Sequence, residues 1–272
     1  MSFEQFTKDN LDTYLKELAK EFRKLNGTST PAEIILIGGA AILANYGFRN
    51  MTTDIDALIY ASSSMKEAIN HVGDKFHLPN GWLNTNFVHT GSYSSKLAEH
   101  SIYYKTFSNV LQIRAISAEY LIAMKLRSGR KYKNDLSDII GILAEHEKQG
   151  SPILMEDIDK AVKNLYGGWE EFPSDSKLFI ENTLQKGGYE EIYLSIIEEE
   201  NHSRNLLLDF AKDYPGTANE SNVNEILMAL KNRSFTEARH ISRDPDVKGY
   251  TSMEELKAAL DSPVSGEIHH DV

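Results

Sequence analysis

The chain has 272 residues, 41% hydrophobic and 25% charged, with no cysteine and a formal net charge of −11 from 29 basic and 40 acidic residues. That composition excludes a disordered or fibrous chain, a disulfide framework, a thiolate zinc site and a cysteine nucleophile, and it argues against non-specific coating of nucleic acid. No apolar run approaches the ~18 residues that span a bilayer, and the first twenty residues mix charge with apolar side chains where a secretory leader is uniformly apolar, so a cytoplasmic protein with no membrane partner is expected.

Residues 9–25 carry apolar side chains at Leu11, Tyr14, Leu15, Leu18 and Phe22, the spacing of an amphipathic helix that stops at Gly27. Glu33–Ile37 is a short apolar run that ends in Gly38-Gly39, and the Ala-rich segment after it favours helix up to Gly47, so a strand, a tight turn and a helix are expected. Thr53–Tyr60 reads as a second strand and Ser64–Phe76 as a helix. Ser101–Phe107 and Val110–Ile116 read as two strands joined at Ser108-Asn109. Ser117 can cap a helix to about Ser128 and Asn134 another to about Glu147. Beyond Pro152 the strand signals vanish, and residues 153–166, 174–185, 189–213 and 221–232 carry helical periodicity between Gly-rich and Pro-rich turns. The expectation is therefore an α/β (α+β) domain over residues 1–150 with a small mixed sheet, followed by an all-helical domain over 151–272. Charge follows the same division: residues 1–150 hold 17 basic and 16 acidic residues and the remainder 12 and 24. Within the first part Lys105, Arg114, Lys125, Arg127, Arg130, Lys131 and Lys133 share a stretch whose only acid is Glu119, a first indication of an anionic ligand.

The segment from Ile37 to Asp56 carries the chemistry. In an extended strand residues two apart share a face, so Asp54 and Asp56 are expected to converge. At ~4 Å and an effective dielectric of ~20, two carboxylates repel by on the order of 4 kcal/mol, so the pair either protonates or binds a cation. Hard oxygen ligands with room left for phosphate oxygens suit Mg²⁺ or Mn²⁺. The glycine pair lets backbone approach a ligand, and the helix after it offers N–H groups and a positive dipole end to phosphate. No Gly-Lys-Ser/Thr follows, which removes the P-loop, and a dinucleotide reading leaves the second aspartate and Arg49 unexplained.

Gly38-Gly39 followed by Arg49-x-x-Thr52-Thr53-Asp54-Ile55-Asp56 resembles the signature of the DNA-polymerase-β-like nucleotidyltransferase superfamily, and the wording is closest to the AbiEii-like abortive-infection toxins. Lys125 in Tyr120–Arg130 and the pair Asp135 and Asp138 also resemble that branch, over residues 30–145 in all. The resemblance implies transfer of a nucleoside monophosphate from an NTP to an RNA or protein acceptor, in a toxin-antitoxin or phage-defence setting with a cognate antitoxin or other protein partner. Asp54 and Asp56 would hold the metal, Gly38, Gly39, Arg49 and Thr53 the nucleotide, and Lys125 the triphosphate. Asp135, or Asp138, would orient or deprotonate the acceptor. Two departures stand beside this. The later strands carry no third carboxylate, and Ala40 stands where many members have a hydroxyl. A catalytically degenerate fold serving as a binding or antitoxin-like partner is the alternative.

Several residues also have plainer readings. Lys125 on a helix is by default a solvated lysine, Asp135 and Asp138 are ordinary first-turn acids, and Trp82 reads as a core anchor. Asp244–Glu255 matches an EF-hand loop in part, but Lys248 occupies a ligand position, so no tight calcium site is expected; Val264–Val272 is expected to fray.

Overall fold

Thr7 opens the first helix with a reciprocal cap: its hydroxyl accepts from the N–H of Asn10 and its own N–H donates to Asn10 Oδ1. This helix, α1 (Lys8–Asn26), buries the predicted stripe and closes at Gly27, whose φ of 71° needs a residue without Cβ. The computed structural model describes residues 6–219 and 222–232. The elements that follow are β1 (Ala32–Leu36), α2 (Gly38–Asn45), β2 (Ile55–Tyr60), α3 (Ser64–Phe76), β3 (Leu83–Asn84), β4 (Ser101–Phe107) and β5 (Leu111–Ile116). Then come helices α4 (Ala118–Ser128), α5 (Asp135–Lys148), α6 (Met155–Tyr166), α7 (Ser176–Lys186), α8 (Tyr189–Asp213) and α9 (Val223–Lys231). The mixed α/β architecture and the helical region after it are as the sequence implies. The EF-hand-like stretch and the chain's last residues lie outside the described residues.

The sheet has the order β3-β2-β1-β5-β4, with β1 antiparallel to β2 and parallel to β5, β3 parallel to β2, and β4 antiparallel to β5. Register separates two faces. Ile34 and Leu36, Ile55 and Ala57, and Leu111, Ile113 and Ala115 share one face and are fully buried. The other carries Glu33, Asp56, Tyr60, Gln112 and Arg114. β4 and β5 join at Ser108 and Asn109, both with φ above 50°, as a two-residue turn matched to strand twist requires.

Among the described residues the chain forms two compact units, one of residues 6–88, 93–121 and 160–167 and the other of 89–92, 122–159 and 168–232. The first holds the sheet with α1 packed on α3. In it Phe6 stacks on Trp82 at 6.2 Å, Tyr14 meets both rings edge-on, and Trp82 Nε1 donates to the Ile69 carbonyl, so Trp82 is a core anchor. The second holds α5 against α8, and α8 against α9 around Leu207, Phe210, Ile226 and Leu227.

Candidate functional site

In the first unit the β1–β2 ladder ends where Ile37 N–H donates to the Asp56 carbonyl at 2.9 Å. The chain then turns into α2 at Gly38, whose φ of 53° lies in the left-handed region. Gly39 is small for a different reason: a Cβ there would lie 2.5 Å from Thr52 Oγ1 and 3.1 Å from the Arg49 guanidinium. A hydroxyl and a guanidinium therefore sit against the first turn of α2, which has no side-chain cap. Backbone N–H groups, a positive dipole end, a cation and a hydroxyl in one place are what a phosphate group needs.

The Arg49–Asp54 loop is fixed from the far end of the sequence. Phe6 and Thr52 exchange two backbone hydrogen bonds of 2.8 Å, and Arg49 Nε donates to the Met51 carbonyl at 2.9 Å. Because Thr52 pairs with Phe6 and Thr53 forms a bend, the β2 ladder begins only at Ile55, whose N–H donates to the Trp82 carbonyl. Asp54 thus precedes the strand, where strict alternation does not apply, while Asp56 lies within it, 5% exposed and paired in register with Asn84. Thr52 is the residue that sequence reasoning passed over: its hydroxyl reaches Gly39 from another segment, beside the position where Ala40 lacks one. Glu33 lies on the same sheet face as Asp56, but it pairs with Tyr60, four residues or about 13 Å along β2, and it is engaged by Gln112 and Arg114. It is no third ligand for the aspartate pair.

The second unit gathers Lys125, Asp135 and Asp138. Lys125 Nζ lies 2.8 Å from Asp135 Oδ1 and 2.8 Å from Asp138 Oδ2, while Arg130 grips Asp135 through Nε at 2.6 Å and Nη2 at 2.9 Å. All four side chains are buried. Burial alone would raise the pKa of Asp135; the Arg130 and Lys125 charges outweigh it and hold the carboxyl well below the usual range. So Lys125 is not a solvated lysine, and the two aspartates act as its counter-ions beyond any dipole role.

Asn134 does not cap α5 with its side chain. Glu200 of α8 does: its Oε1 accepts from the N–H groups of Leu136 at 3.0 Å and Ser137 at 3.3 Å, while Asn134 Oδ1 accepts from Arg204. Burial pushes the Glu200 carboxyl up to about 8; the Ser137 hydrogen bonds work against that rise, and the neighbouring Asp138 and Asp135 charges add to it. A cap supplied from 64 residues away leaves no local pattern to read.

In the basic stretch expected to form one anion-binding stripe, six of the seven cations are engaged by acids. Lys105 pairs with Asp12, Arg114 approaches Glu33, Arg127 pairs with Glu171 and Lys131 with Asp175, beside the two cations on Asp135. Clustering along the chain did not leave these six cations unpaired: four take acids from distant segments, and Lys125 and Arg130 take Asp135 just beyond the stretch.

Residues 13–146 match the family model described as a nucleotidyltransferase of unknown function (DUF6036). The matched segment contains the glycine pair, Arg49, Asp54, Asp56, Lys125, Asp135 and Asp138, and the match supports a place in a nucleotidyltransferase superfamily. Neither the curated proteins nor the solved structures give a match to this chain. No helix among the described residues is long and apolar enough to cross a membrane.

Proposed function

We propose that this nucleotidyltransferase-like protein transfers a nucleoside monophosphate from an NTP to an RNA or protein acceptor with the help of Mg²⁺ or Mn²⁺, in the manner of the AbiEii-like toxins. The observation that carries the reading is that the Asp56 backbone is hydrogen-bonded to Ile37, the residue just before Gly38-Gly39, while Arg49 and Thr52 lie against Gly39. The donor set fits the metal: one or two carboxylates completed by substrate phosphates is the usual protein share of a Mg²⁺ site, and a soft or imidazole-rich ion would find no matching ligands here. When bound, the cation neutralises charge developing on the transferring phosphoryl group.

In this reading Asp54 and Asp56 hold the cation, and the α2 N–H groups with Arg49 and Thr52 hold phosphate oxygens, with Thr53 beside them. An acceptor hydroxyl attacks the α-phosphorus; the bond from that phosphorus to the bridging oxygen breaks, pyrophosphate leaves with the electron pair, and the hydroxyl proton passes to solvent or a carboxylate. Asp135 is a poor proton acceptor, since two cations hold it ionised, so we assign Asp135 and Asp138 to fixing Lys125 and Arg130. The cytoplasmic setting, the cognate antitoxin and the other protein partner belong to the same proposal.

The degenerate, partner-binding reading is favoured by one observation: among the described residues no group of three or more carboxylate or histidine side chains is placed to hold a metal ion. Calorimetry with each NTP, with and without Mg²⁺ or Mn²⁺, followed by incubation of α-labelled NTP with total RNA and with total protein, separates the two. Metal-dependent binding that Asp56→Asn removes, together with label on an acceptor, supports transfer. Binding without label on either pool supports the partner reading, and no metal-dependent binding refutes both site assignments.

A further inference from the structure

The second unit carries a cavity of ≈ 200 Å³ that is partly open to solvent. Leu126, Leu136, Phe179 and Ile196 give it apolar walls, and Glu200 lines one side. The charges at its rim are matched, Lys131 with Asp175 at 2.5 Å and Glu199 with Lys231 at 3.1 Å. Glu200 is not. It is 2% exposed and makes no ion pair among the described residues; Oε1 is used on the start of α5, and Oε2 is buried with no hydrogen-bond partner.

We propose that this cavity is a binding site for a small organic ammonium ion, its charged head donating to Glu200 Oε2 and its hydrocarbon body lying against Phe179 and the aliphatic walls. The alternatives fit less well. An anion would meet the unmatched carboxylate of Glu200, because Lys131 and Lys231 are already engaged by Asp175 and Glu199. A metal ion would find only one free carboxylate oxygen, and no group of three or more His, Asp or Glu among the described residues could hold one. A neutral hydrocarbon would leave Oε2 buried and unsatisfied. An ammonium group satisfies the oxygen and supplies a cation for the ionised Glu200 carboxylate.

The groups around Glu200 sharpen the expectation. Asp135 and Asp138 face it from α5, Glu199 and Arg204 share its helix, and Lys131 and Asp175 stand at the rim. The two α5 carboxylates add to burial in favouring its protonated form, so the cation must displace a proton and binding strengthens as pH rises from 6 toward 8. The proposal is independent of nucleotidyl transfer, since it uses none of the residues around Gly38-Gly39.

The test uses the full chain and benzylamine, with benzyl alcohol as the uncharged probe of the same shape, in calorimetric titrations at pH 6 and pH 7. Benzylamine is expected to bind saturably, about tenfold more tightly at pH 7 than at pH 6, and benzyl alcohol far more weakly. Glu200→Gln keeps a carbonyl oxygen for Leu136 and Ser137 and should lose at least tenfold in benzylamine affinity. Phe179→Trp, which fills the cavity with the charge intact, should abolish binding and decides the matter if Glu200→Gln does not fold. No saturable benzylamine binding, equal binding by the alcohol, or affinity retained in both variants overturns the proposal.

Discussion

Substituting Asp135 by Asn tests how the second unit holds its buried charge. The side chain is 0% exposed and takes three hydrogen bonds, one from Lys125 at 2.8 Å and two from Arg130 at 2.6 and 2.9 Å. Asparagine keeps the shape but removes the charge and forces an NH₂ toward one of the two cations. Removing one partner of a buried ion pair costs about 3–5 kcal/mol, because the other charge stays desolvated. Lys125 retains Asp138 at 2.8 Å, so Arg130 bears most of the loss and about 3 kcal/mol is expected. Urea unfolding of the full chain, followed by circular dichroism, measures it. The acid limb adds a second readout: a carboxylate depressed in the folded state contributes stability that is present above its ordinary value of 3.8 and is lost as pH falls below it, so wild type should weaken more steeply than the variant under pH ~4. A loss under ~1 kcal/mol, or parallel acid limbs, would refute the reasoning.

Glu200 has the opposite sign: its carboxyl is raised to about 8 from 4.5, so its contribution is full below pH ~4.5 and declines as pH rises to 8. Urea midpoints across that window should show a fall that Glu200→Gln flattens. Gly39→Ala drives a Cβ to 2.5 Å from Thr52 Oγ1 and should destabilise by about 1–3 kcal/mol, with much of that recovered in a Thr52→Ala background; a double-mutant cycle with no coupling excludes the contact. Ser108→Gly relieves a left-handed φ of 52° in the β4–β5 turn and should gain about 0.5–1 kcal/mol in thermal unfolding, whereas a loss would mean that its side chain matters more than its backbone.

What the sequence disclosed was whatever one segment decides by itself. Apolar spacing in α1 and the run from Glu33 into Gly38-Gly39 located a helix, a strand and a turn, and the periodic stretches after residue 152 located α6 to α9. Where a distant segment decides, local pattern was silent. β3 has two residues and no period to detect, and it forms because β2 offers it an edge at Ile55 and Asp56. Asp54 read as strand because nothing nearby shows that Phe6 takes Thr52 first. Lys125 looked like a surface residue because its counter-ions come 10 and 13 positions later, and Asn134 looked like a cap because the group that takes the α5 N–H bonds is Glu200. In the candidate site the glycines and aspartates were legible as residue types, but the role of Thr52 required the distance to Gly39.

The pair of hydrogen bonds between Phe6 and Thr52 makes the front of the chain a clasp for a loop nearly fifty residues away. The region of family similarity begins only at residue 13, so trimming the protein to that boundary would cut the clasp, strip Trp82 of its stacking ring and let the segment carrying Arg49, Thr52 and Asp54 swing away from Gly39. Such a shortened protein could keep its sheet and still be mistaken for an inert relative.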